Sequence, residues 1–196
     1  MKILFVLIIG IAIGLLSWQK DDQEIVNVEM VEEKKIAKEI IYPASEFKER
    51  ITKKHFGQLI TKQNSPIQPE RFGGYHTGVD VEYEDVTGEV PVMAVCDGEI
   101  VVARWVSGYG GTVVQKCDTY FVLYGHLKIS SVTSNKQINK GQQIAVLGED
   151  KTQETDGERK HLHFGIYKNK IDLRGYVQNK NDLDGWVDPV ATLDTF

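Results

Sequence analysis

Cysteine is scarce in this sequence, with only Cys96 and Cys117 among 196 residues. Neither belongs to a C-x-x-C, so a cysteine-based metal motif is excluded. The pair fits a disulfide in an oxidising compartment and fits two buried thiols equally well; the spacing does not decide between them. Basic excess is also lacking: the net charge is -5 and the pI is near 5.6. Binding nucleic acid requires clustered Lys and Arg to neutralise phosphates, so nucleic acid is not an expected partner.

The one long uncharged apolar run is N-terminal, from Ile3 to Trp18 (ILFVLIIGIAIGLLSW). At about 1.5 Å per residue it reaches roughly 24 Å, a little short of a hydrocarbon core of about 30 Å, a mismatch that flanking residues absorb by snorkelling. No A-x-A-like site ends the run and no Cys follows it. The expectation is therefore an uncleaved anchor over residues 1–19, with a cleaved signal peptide as the competing reading and a lipoprotein anchor not expected. Lys2 precedes the span and Lys20, Asp21 and Asp22 follow it, which points to a single-pass membrane protein whose domain lies outside the cytoplasm.

Residues 20–68 read as a helical spacer and linker. Ile25, Val28, Val31, Ile36 and Ile40 fall at helical intervals among charges, and Pro43, Pro66 and Pro69 bracket a short helical pattern, SEFKERITKKHF. His55, within that pattern, reads as a surface histidine. Beyond residue 69 the texture changes to short runs of Val, Ile and aromatics: Val90 to Val95, Glu99 to Trp105, Thr112 to Lys116, Tyr120 to Tyr124, Gln143 to Leu147 and Lys160 to Tyr167. Turns such as Cys96-Asp97-Gly98 and Asn139-Lys140-Gly141 divide them. Close spacing of short strands with little helical periodicity predicts a mainly β domain over 69–196, an antiparallel sandwich or folded sheet, with Trp186 to Leu193 closing it.

Four of the five histidines stand in meaningful patterns. His76-Thr77-Gly78-Val79-Asp80 sets an imidazole and a carboxylate four apart, able to meet at one metal where Gly78 lets the chain turn. His161-Leu162-His163 lies in a strand-like run, where residues two apart share a face, so both imidazoles project together. His126 ends a strand in Tyr124-Gly125-His126-Leu127, a place where a lone histidine is ordinarily structural.

Taken in order, H-x-x-x-D, Y-G-H-L and H-L-H resemble the lysostaphin-type (LytM-like) zinc endopeptidases. Val95-Cys96-Asp97-Gly98, Gly108-Tyr109-Gly110-Gly111 and Lys140-Gly141-Gln142 match the same family's strand and turn signatures. The resemblance implies Zn2+ held by His76, Asp80 and His163, with His126 and His161 flanking its water. Such a set leaves a fourth position open, and imidazoles with pKa near 6.5 suit a base and an oxyanion stabiliser, in either assignment. It further implies hydrolysis of peptide cross-links in bacterial peptidoglycan, with a regulatory protein partner as an additional expectation. Two departures stand out: Cys96 replaces a small residue, and Ile171 to Asp184 is inserted ahead of Trp186. Tyr75 does not align with a catalytic tyrosine, and Trp105 and Tyr109 read first as packing residues. Two rivals remain: a non-catalytic activator module, which would lack metal ligands where this chain has all five positions, and a lipoyl-like β hybrid over Val92 to Gly148, which leaves the histidines without a purpose.

Overall fold

Alternation of β-branched and aromatic residues with glycine turns produces thirteen short strands among the described residues, 40–65, 71–128 and 134–196, of a computed structural model. They are β1 (Leu59–Ile60), β2 (Gly74–His76), β3 (Val79–Glu82), β4 (Pro91–Met93), β5 (Gly98–Val106), β6 (Gly110–Cys117) and β7 (Tyr120–Gly125). The series continues with β8 (Leu127–Lys128), β9 (Lys136–Ile138), β10 (Gln143–Leu147), β11 (His161–Lys168), β12 (Tyr176–Val177) and β13 (Trp186–Val187). The largest sheet runs β13-β11-β7-β6-β5-β9, with β3 also on β11; two smaller sheets run β4-β10-β8 and β1-β2-β12. The pairing is antiparallel throughout, so the expected mainly β, antiparallel architecture is what the chain adopts.

The strand period sorts side chains between two faces of the large sheet. Val122, Tyr124, Leu162, Phe164 and Ile166 join the main core, together with Val92, Ala145 and Leu147 of the β4-β10-β8 sheet. Val114, Leu123 and Tyr167 turn the other way, into a second cluster with Tyr109 and Trp186. His161 and His163 share the parity of Tyr167 and so belong to this second face. Cys96 and Cys117 are joined as a disulfide across the turn that opens β5.

The segment expected to be linker is part of the domain. The compact unit begins at Ile40 rather than near residue 69. Phe47 is fully buried, edge-on to Phe164 with ring centroids 5.5 Å apart. SEFKERITKKHF forms turns instead of a helix, because its backbone is taken up by an outside edge: the N–H groups of Asp80 and Glu82 donate to the carbonyls of Lys54 (3.0 Å) and Arg50 (2.9 Å). An edge strand left bare would expose those donors, and this strap satisfies them. The insertion before Trp186 supplies β12, which pairs with β2. Downstream of β13 the chain closes with a four-residue helix, Pro189–Thr192, capped by the Asp188 side chain. Among the described residues no helix is long and apolar enough to cross a membrane. The anchor expected over 1–19 and the first part of the spacer lie outside the described residues.

If the strap is structural, Phe47→Ala will cost about 3–5 kcal/mol, the usual loss for a buried phenylalanine. Urea unfolding of the two proteins measures it; a change within about 0.5 kcal/mol, as for a surface position, would mean the segment is a linker after all.

Candidate metal centre

Register builds the site. In the β3–β11 ladder His163 stands opposite Asp80 and His161 opposite Glu82, so all four project from the same face, while the intervening Val79, Val81, Leu162 and Phe164 fill the core. His163 also pairs with Gly125 at the end of β7, which brings the next residue, His126, alongside. His76 comes from the β1-β2-β12 sheet, and the turn Thr77-Gly78 carries the chain from that sheet into β3. A Cβ at Gly78 would lie 2.5 Å from the Phe164 carbonyl oxygen and 2.8 Å from His163 Nε2, so only glycine permits this approach.

Three atoms converge. His76 Nε2 and His163 Nδ1 are 3.1 Å apart, and each lies close to Asp80 Oδ1, at 3.2 Å and 3.1 Å. These are the three groups among the described residues placed to hold a metal ion together. Ligands about 2.0–2.1 Å from a tetrahedral ion sit roughly 3.3 Å from one another, so the triangle is the right size. The donors fit in chemistry as well. His76 Nδ1 lies 3.3 Å from the His55 carbonyl oxygen, which only accepts; the proton is therefore assigned to Nδ1, and the lone pair of Nε2 faces Asp80. The His163 ring is buried, its Nε2 without a hydrogen-bond partner among the described residues. Its orientation is set by the converging cluster and by Tyr109, whose ring packs at 4.9 Å.

The other two histidines lie beside the triangle, with ring centroids 4.2 Å apart. His126 Nδ1 faces the Thr155 carbonyl at 3.1 Å and His161 Nδ1 the Arg159 carbonyl at 2.9 Å, which assigns the proton to Nδ1 in both and leaves each Nε2 unprotonated. His126 sits at φ 64°, a left-handed conformation costly for a residue with a Cβ, and is held there by its own N–H to Tyr109 O (2.7 Å) and by Gly148 N–H to its carbonyl (2.8 Å).

Burial dominates the electrostatics. It pushes the His126 pKa down to about 3 and that of His163 down to about 4, with His161 also lowered, so all three imidazoles are neutral at neutral pH. Burial also opposes ionisation of Asp80, but the imidazoles of His161 and His76 and the hydrogen bond from His163 outweigh it, and the carboxyl is held well below its ordinary range. Lys54, almost wholly buried, is lowered by the same desolvation; its Nζ donates to Tyr176 Oη at 2.7 Å and lies 3.9 Å from Asp80 Oδ2. The cleft over the triangle has about 430 Å³ of open space, with Lys54, Phe72, Tyr109, Leu173 and Tyr176 among its walls.

Each residue singled out in the sequence can now be located. His76, Asp80, His126, His161 and His163 come together. The His55 side chain is exposed as expected, although its carbonyl orients His76. Tyr75 is not among the cleft walls, whereas Tyr109 is; Trp105 is exposed and donates to the Gln153 carbonyl at 2.9 Å. Sequence reasoning missed Lys54, Tyr176, Arg159 and Glu82. The last two were accessible through parity: Arg159, His161 and His163 alternate, as do Asp80 and Glu82.

Known proteins resemble this chain in sequence and in fold. The sequence model of peptidase family M23 matches residues 74–174, just over half the chain. Among solved structures, LytU superposes with a TM-score of 0.53 at 23% identity, over 81% of this chain and 90% of that one, a likeness of fold. The catalytic domain of the antimicrobial peptidase lysostaphin from Staphylococcus simulans aligns at 27% identity over 62% of this chain and 80% of that one, with a TM-score of 0.48. None of the curated proteins compared matches the chain.

A pH dependence follows from the lowered imidazoles. In the unfolded chain a histidine titrates near 6.5, whereas in the metal-free fold His163 resists protonation to about pH 4 and His126 to about pH 3. Below pH 6.5 the unfolded chain binds protons that the fold refuses, so stability is full above that pH and falls as the pH drops toward 4 and then 3. Thermal unfolding in the presence of chelator should show the midpoint declining through that window; a flat or rising midpoint contradicts the neutral, buried assignment.

Proposed function

The chain belongs to peptidase family M23, and from that premise we propose that it is a zinc endopeptidase that hydrolyses peptide cross-links of bacterial peptidoglycan. The observation that carries the reading is the triangle of His76 Nε2, Asp80 Oδ1 and His163 Nδ1, with edges of 3.1–3.2 Å, beside two further neutral imidazoles. Two imidazoles and one carboxylate suit zinc and leave it an open position. When bound, the ion supplies Lewis acidity to the attacking water and the scissile carbonyl.

The chain's own residues handle the protons. His126 and His161, each with Nδ1–H fixed on a carbonyl, offer Nε2 as acceptor for the proton of the attacking water and, once protonated, as donor to the developing oxyanion or leaving amine. Tyr109, Leu173 and Tyr176 form apolar walls that displace water as an extended peptide enters the cleft. The substrate class rests on the family. Location outside the cytoplasm, tethered by residues 1–19, rests on the uncharged run Ile3 to Trp18.

With zinc added, the protein should release soluble peptides from purified peptidoglycan sacculi of at least one cross-link type. His163→Ala should lose about one zinc per chain together with that release, because it removes one of three ligands. His126→Ala and His161→Ala should keep the zinc and lose roughly 10²–10⁴-fold in rate, the usual contribution of a general acid or base. A zinc-loaded protein that releases nothing from any sacculus removes the hydrolase reading and favours a non-catalytic module.

A further inference from the structure

Arg159 is a fully buried guanidinium whose shorter bonds converge on the site, with Nη1 also 3.5 Å from Glu158 Oε2. Nη2 donates to Asp80 Oδ2 at 2.9 Å and to Glu82 Oε1 at 2.6 Å, and Nε donates to Glu82 Oε2 at 2.8 Å. The backbone carbonyl of the same residue receives His161 Nδ1 at 2.9 Å. Arg159 therefore touches the candidate ligand Asp80 with its side chain and the candidate proton carrier His161 with its main chain. We propose that Arg159 is a positioning residue of the metal centre, holding Asp80 as a one-oxygen ligand and fixing the tautomer of His161, with Glu82 cancelling its charge. The inference rests on the reading that His76, Asp80 and His163 bind zinc.

Three considerations carry it. First, a carboxylate can offer a metal one oxygen or two. Here Oδ1 alone faces His76 and His163, while Oδ2 is committed to Arg159, so the carboxylate can neither rotate nor chelate. Second, a bare cation next to a dication would weaken binding. The Arg159–Glu82 pair is bidentate and formally neutral, which allows Arg159 to orient Asp80 without repelling the ion. Third, a buried ion pair is poor evidence of stabilisation, since apolar replacements of both partners are commonly neutral or better. Its presence is then explained by the ligand it holds, and groups in that position typically contribute 10–100-fold to metal affinity.

The test is zinc affinity of the full chain, measured by competition with a chromophoric chelator. Arg159→Met alone strands the Glu82 charge, so the informative protein is the double variant Arg159→Met/Glu82→Met, which removes both partners of the bidentate pair and leaves Lys54 as the buried cation facing Asp80. We expect its zinc dissociation constant to rise about 10–100-fold. Glu82→Gln keeps a side chain of the same shape but removes the neutralising charge, and should weaken zinc about tenfold; it carries the test if the double variant does not fold. A folded variant that binds zinc within about threefold of the parent overturns the proposal, because loss of a supporting contact is expected to cost more. If the parent itself binds no zinc, or His163→Ala binds it equally well, the metallopeptidase reading fails instead, so the two failures are distinguishable.

Discussion

The carboxylate of Asp80 is the constraint around which the rest of this fold is arranged. It is almost wholly buried, at 1% exposure, and an ionised carboxylate in such a place is tolerated only when its oxygens are fully engaged. Each neighbouring element answers that requirement. β11 supplies His161 and His163, β2 supplies His76, and the approach to β11 supplies Arg159. The strap before β1 supplies Lys54 and also receives the backbone N–H of Asp80 itself. Removing any one of these elements would strand charge, not merely open a void.

The site spans two sheets, and this gives Gly78 its importance. Asp80, His126, His161 and His163 come from strands of the large sheet or their ends, whereas His76 pairs with Tyr176 in the small one. With a Cβ at position 78 the chain could not pass so close to Phe164 and His163, and the His76 imidazole would be held away from the other four groups. The cleft wall from the inserted segment arrives by the same route. β12 extends the small sheet and sets the Tyr176 ring 5.3 Å from that of His76, so the segment before Trp186 supplies part of the mouth of the site.

Much of this was legible in the order of the residues. Strand periodicity marked the large sheet, because its two faces are both apolar and its turns carry glycine. The H-x-x-x-D, Y-G-H-L and H-L-H groups identified the five converging positions through a pattern whose chemistry is specific. The strap was not legible, since Ser45 to Phe56 has helical spacing and only the unpaired edge of β3 explains why it is laid out as turns. Lys54 and Tyr176 were missed for a related reason: one lies in that strap and the other in the insertion, and no local pattern says that either folds back over the cleft. Arg159 and Glu82 sit in correct parity with recognised residues, but parity alone does not distinguish a solvated charge from a buried one. The Cys96–Cys117 bridge was likewise undecided by spacing and is settled by the pairing of β5 with β6, whose ends bring the two residues within a Cα separation of 5.9 Å.

Charge accounting ties these observations together. The buried set holds Asp80, Glu82 and Glu158 against Lys54, Arg159 and Lys160, three formal negatives and three positives, beside neutral histidines. Burial raises the Glu158 carboxyl and lowers the Lys54 ammonium, so these two drift together toward the neutral pair, and that shift leaves the balance unchanged. In either state the set is formally balanced, and the Asp80 carboxylate lies where three candidate ligand atoms meet. A divalent cation that binds there to the folded chain and not to the unfolded one adds its binding free energy to the stability of the fold, so the convergence on Asp80 couples metal affinity to folding.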